Sequence, residues 1–229
     1  MWVNRVFCLF IIYSLMGWIY ETVFCTIKGK KWENRGFLYG PVCPIYGVGA
    51  LIVTGIVEMI KKSGAEPQAW MIFTVSVIGS AILEYVTSWL LEKIFHAVWW
   101  DYSNMPLNLH GRISLFTSLG FGGAGLLIVY VLAPFAEGIV DAIPTFGLDV
   151  LVLALMFILA SDFTLTVSAL HHFDVMVRRI DTTINQNMDA FVEKTIKRVH
   201  SFRDRNKTIE SVRNQVLSMV KKVREQGKK

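Results

Sequence analysis

An all-α, polytopic transmembrane bundle of five spans, continued by a long C-terminal helix in the cytoplasm, is the fold this sequence predicts. Three observations predict it. Of 229 residues, 53% are hydrophobic and only 18% charged, where soluble domains carry roughly 25% charged residues. The charge is also partitioned: residues 1–170 sum to −2 and residues 171–229 to +7. Finally, five segments reach the ~20 apolar residues that a helix needs to cross a bilayer core. They are 6–27, 42–60, 70–95, 115–135 and 148–170.

Taken in order, the first segment follows Arg5, and no small-x-small cleavage site succeeds it, so it reads as a retained helix. The second is entered through Pro41 and Pro44 and contains Gly47, Gly49 and Gly55. Such residues are tolerated in a membrane where neighbouring helices satisfy the freed backbone groups, and a re-entrant start to this span is compatible with them. The third carries Ser80, Glu84, Ser88 and Glu92 at steps of four, which places them on one helix face. The fourth and fifth are the most uniformly apolar. Within the fourth, Gly120 to Gly125 fits GxGxxG, but inside an apolar span, with no strand expected before it, the dinucleotide reading fails. Ser118 with Gly122, and Gly120 with Ala124, instead suggest small-residue faces for close helix packing.

Lys28, Lys30, Lys31 and Arg35 load the first connection, and the fourth holds Glu137, Asp141 and Asp149 without Lys or Arg. By the positive-inside rule the N-terminus lies outside and the tail inside; Lys61 and Lys62 are exceptions. The tail, 171–229, places Met188, Val192, Val199, Phe202, Ile209, Val216, Val220 and Val223 on a seam of alternating three- and four-residue steps in which Thr195, Asn206 and Arg213 take the remaining positions. Both a coiled coil and a basic amphipathic helix on the inner leaflet fit that pattern.

Other chemistry is excluded. A basic tail on an apolar body points to bilayer and cytoplasm and not to nucleic acid. Cys8, Cys25 and Cys43 have no disulfide or zinc spacing. His171-His172 lacks an acidic ligand at metal spacing, so no metal and no cofactor is expected. There is no Walker A sequence and no nucleophile motif, so no catalytic residue is assigned.

Charged groups within spans are costly and are functional candidates by default. Glu21, Glu84 and Asp162 fall in the first, third and fifth spans and are expected to face the bundle interior. Two connecting segments, ENRGFLYGPVCPIYG (33–47) and WWDYSNMPLNLHGR (99–112), are too rich to be linkers and fall on one side of the membrane in this topology. They contribute Arg35, Asp101, Asn104, Asn108, His110 and Arg112, with Glu92 at the end of the third span. Asp101 with Arg112, or either Arg with Glu21 or Glu92, would neutralise one another near the membrane face. The ten residues form a candidate polar cavity; a salt-bridged lid that fixes helix ends accounts for the same segments.

The stretches RGFLYGPVCPIYG (35–47) and EYVTSWLLEKIFHAVWWDYSNMPLNLHGRISL (84–115) resemble a bacterial membrane family classed as ABC-transporter type IV, whose members carry the label of ABC transporter permease. The resemblance covers about the first two-thirds of the chain. It implies a bacterial plasma-membrane location and a permease or transport-associated subunit beside a separate ATPase subunit. Membrane lipids are expected neighbours, and because five spans are few for a complete pathway, a homo-oligomer or partner subunit is expected too. Two alternatives stand beside it: an intramembrane enzyme acting on a lipid or isoprenoid headgroup through Asp101, His110, Arg112 and Glu92, and a scaffold whose tail recruits a partner.

Overall fold

The computed structural model describes residues 2–29, 36–96, 98–182, 215–222 and 225, and the side-chain surroundings of these except 28–29 and 172–182. It is built from helices α1 (Trp2–Gly29), α2 (Pro44–Lys62), α3 (Ala69–Phe95), α4 (Leu115–Leu127), α5 (Ala133–Asp141) and α6 (Thr145–Thr182). Strands β1 (Asn108–Leu109) and β2 (Ile113–Ser114) form a small antiparallel hairpin between α3 and α4.

Among the described residues, five helical stretches are long and apolar enough to cross a membrane: Trp2–Ile27, Pro44–Lys62, Ala69–Phe95, Leu115–Asp141 and Thr145–His171. The fourth is composite. A π turn, Ile128–Leu132, joins α4 to α5 just before Pro134. Proline has no N–H and its ring crowds the carbonyl four residues earlier. The helix slackens by one residue there, and the Ala133 N–H bonds to the Ile128 carbonyl instead. α2 starts at Pro44, after an irregular stretch of residues 36–43.

Lipid tails are as apolar as leucine, so helices in a membrane associate through close packing and hydrogen bonds. Small residues set that packing here. A β-carbon added at Gly47 would overlap the Ser14 Oγ and sit 2.7 Å from the Phe10 carbonyl, so α2 lies directly on α1. One added at Gly125 would overlap Ser76, and one at Gly122 would lie 2.6 Å from Val77, so α4 lies directly on α3. Ser118 and Gly122 share that seam as expected; Gly120 does not, because it faces open space. Although β2 precedes α4, Gly120 to Gly125 lie inside the helix and not in a loop at its N-terminus.

The core joins Cys8, Leu9 and Tyr13 of α1 to Ala50, Ala136, Val140 and Val152 of the later helices. At that end Arg5 pairs with Asp141, and the Asn4 amide donates to Asp149 at 2.6 Å. Two of the three acids of the fourth connection are thus met from α1, Asp141 by a charge and Asp149 by an amide. The outward faces are apolar; Phe157 of α6 is 74% exposed, a surface suited to lipid chains. Lys61 and Lys62 end α2, where cations complement the helix dipole, a local reason for their exception to the charge rule.

α6 runs on past its apolar portion to Thr182, and residues 215–222 are helical. The remainder of the tail, with most of the heptad positions, lies outside the described residues.

Candidate functional site

The two segments singled out in the sequence meet at one end of the bundle. Phe37, from the first, packs against Phe95 and Trp99 with ring centroids 5.7 Å apart in each case, and against Phe163 of α6 at 6.1 Å. Asp162 holds the same segment through its backbone: its carboxylate accepts the Tyr39 N–H at 2.9 Å and the Gly40 N–H at 2.8 Å. This explains the glycine, since a β-carbon at position 40 would stand 2.8 Å from an Asp162 oxygen. Thr166, one turn on, completes the contact at 3.4 Å. Irregular backbone at this depth needs such acceptors, because lipid offers none.

The second segment is folded by its own polar groups. Asp101 accepts the Ser103 amide at 2.8 Å and the Ser103 hydroxyl at 2.5 Å, and these donors hold its carboxyl below the usual range. The Asn108 amide donates to the Met105 carbonyl at 2.8 Å, and its oxygen accepts the Gly111 N–H at 3.1 Å. His110 and Gly111 have φ of 55° and 68°. Two central residues with positive φ form the type of turn that matches strand twist in a hairpin. His110 is therefore a turn corner; its Nδ1 lies 3.1 Å from the Tyr85 hydroxyl.

Arg112 leaves this hairpin to bind α3. Its Nη2 is 2.5 Å from Glu92, its Nη1 donates to the Ser88 hydroxyl at 3.3 Å, and its guanidinium lies 5.7 Å from the Tyr85 ring centre. Of the pairings open at the sequence level, Arg112 with Glu92 forms, and Asp101 bonds Ser103.

Deeper in, two acids share one interior. Glu21 of α1 accepts the Tyr46 hydroxyl at 2.6 Å, with the Cys25 sulfur 3.7 Å from its other oxygen. Glu84 of α3 is only 6% exposed. One of its oxygens accepts the Tyr102 hydroxyl at 3.1 Å; the other is buried and has no hydrogen-bond partner among the described residues. Burial raises the Tyr102 pKa, and the Glu84 and Glu21 carboxylates raise it further. Tyr102 thus stands within the field of both acids. The arrangement is a cluster of carboxylate acceptors and tyrosine hydroxyls, chemistry that suits a group that donates hydrogen bonds or carries positive charge.

Of the ten candidates, then, Glu21 and Glu84 face the interior, Asp162 anchors the first segment, and Arg112 with Glu92 ties the second to α3. Asp101, Asn108 and His110 shape the hairpin, and Asn104 is exposed there. Arg35 lies outside the described residues, as does the side chain of His172; His171 is exposed. Sequence reasoning missed Tyr46, Tyr85 and Tyr102. Their signal was present as tyrosines beside Pro44, Glu84 and Asp101, but partners contributed from other helices cannot be read from spacing.

Comparison with known proteins gives one family. The family described as "Putative ABC-transporter type IV" matches residues 8–167, all five apolar helices among them apart from the ends of the first and last. The chain belongs to this family. No curated protein matches it, and neither does any solved structure.

Proposed function

We propose that this member of the type IV family is the permease, or a transport-associated membrane subunit, of an ABC-type system, and that it engages a polar or cationic solute at Glu84. One observation carries the reading: a carboxylate oxygen in the middle of a span-length helix is buried with no partner among the described residues. An acceptor left so costs about 1–3 kcal/mol or more, a cost that a solute donating to it would relieve. Glu21 with Tyr46, and Tyr102 on Glu84 itself, supply further polar groups for such a solute. The chain has no Walker A sequence, so in this reading the ATPase is a separate subunit.

Purified from native membranes, the wild-type chain should bring an ATPase with it. Glu84→Ala should keep that partner and lower transport-coupled hydrolysis at least tenfold, whereas Glu84→Gln, which keeps the shape, should lose less. A chain that is monomeric and partnerless in native membranes overturns the reading. The headgroup-enzyme alternative draws less support, because Asp101, His110 and Arg112 are engaged in folding the hairpin and tying it to α3.

The end carrying both segments faces the cytoplasm in this proposal, and the N-terminus faces outside, in a bacterial plasma membrane. The basic connection after α1 and the basic tail support that sidedness. Single cysteines at positions 34 and 104 should both react with an impermeant maleimide in inside-out vesicles and be protected in intact cells. Labelling of either from outside reverses the topology.

A further inference from the structure

A polar cavity of about 340 Å³ opens at the end of α3 and is lined by Trp89, Glu92, Lys93, His96, Arg112 and Gln215. We propose that it binds the phosphate of an anionic phospholipid headgroup, with the described tail helix as one wall. The inference rests on none of the interior acids.

The charges favour an anion. Glu92 is neutralised by Arg112 at 2.5 Å, which leaves Lys93 as net positive charge, with His96 also at the rim. The Lys93 ammonium lies 4.9 Å above the centre of the Trp89 ring, a contact that keeps it near the cavity mouth. Arg112 is fixed by Glu92 and Ser88, so only its remaining N–H groups are left, preorganised, for a ligand beside the opening. The carbonyl end of a helix repels an anion by itself. Here the His96 N–H caps the Glu92 carbonyl at 2.8 Å, and Lys93 stands in the last turn. Both offset that repulsion.

The location selects the source of the phosphate. Trp89 and Lys93 lie in the last two turns of a helix of span length. Tryptophan prefers the headgroup level of a bilayer and lysine extends toward it. A lipid phosphate is the anion concentrated at that level. Gln215 comes from the tail helix, in which Val216 is buried, so a bound headgroup would touch the membrane body and the tail together.

The full chain in nanodiscs of mixed phosphatidylglycerol and phosphatidylcholine, released for native mass spectrometry, tests this. One tightly held phosphatidylglycerol per chain is expected. Its occupancy should fall at least fivefold in the Lys93→Gln, His96→Gln double variant. It should fall comparably in Gln215→Glu, which places negative charge on the exposed wall without touching the helical body. Equal retention of both lipids, or unchanged occupancy in Gln215→Glu, overturns the proposal. Displacement by millimolar inorganic phosphate would assign the site to a soluble phosphate group and overturn the lipid assignment.

Discussion

Asp162→Ala should release the segment between α1 and α2 and destabilise the protein by about 3 kcal/mol. Two backbone N–H groups, of Tyr39 and Gly40, donate to this carboxylate at 2.9 and 2.8 Å, and hydrogen bonds to a charged group contribute about 1.5–3 kcal/mol each. Partial exposure of Asp162 brings the sum toward the lower end of that range. Asp162→Asn should recover little, because an amide presents one acceptor and turns N–H toward the second donor. The measurement is the alkylation rate of Cys43, which is 5% exposed and ends the segment, followed by peptide mass spectrometry with Cys8 on α1 as reference. Faster alkylation of Cys43 alone, with a lower melting temperature in detergent, is the expected result. Unchanged rates at Cys43 would mean that the aromatic cluster around Phe37 holds the segment without the carboxylate.

The same substitution at two glycines of α4 should have opposite consequences. A β-carbon at Gly125 would overlap Ser76, which is buried in the α3 seam, whereas one at Gly120 meets nothing within 4 Å. Overpacking a tight contact costs about 1–3 kcal/mol and sometimes more, and helices that rely on small residues cannot separate without losing their contacts. Gly125→Leu should therefore lose at least about 3 kcal/mol, seen as aggregation or early melting in detergent. Gly120→Leu should be neutral or stabilising, since glycine inside a helix costs about 1 kcal/mol relative to alanine. Equal damage from both would contradict the seam described between α3 and α4.

Much of the architecture was legible because a bilayer allows few solutions. A spanning segment must satisfy its own backbone and present about 20 apolar residues, so composition and length alone located the five long helices. The four-residue spacing of Ser80, Glu84, Ser88 and Glu92 likewise marked the face of α3 that turns inward; Glu84 and Ser88 are both buried. Glycine was less legible. Ser118 with Gly122 and Gly120 with Ala124 have equal claims by spacing, yet only the first pair meets α3, because the sequence does not record which face of a uniformly apolar helix a neighbour occupies.

What the sequence determined by itself is therefore the set of long apolar helices, the enrichment of two connecting segments, and the inward bias of the buried acids, each a consequence of local composition against the cost of exposing polar groups to lipid. Tertiary structure alone decided the partners. Asp162 meets Tyr39 and Gly40 from more than a hundred positions away, Arg112 chooses Glu92 over Asp101, and Arg5 pairs with Asp141 of the acidic connection at the far end of the bundle. It also made a hairpin of a stretch with little strand character, through the positive φ of His110 and Gly111. These choices depend on distances between helices. Those distances follow from where small residues let backbones approach, so no reading of one segment at a time contains them.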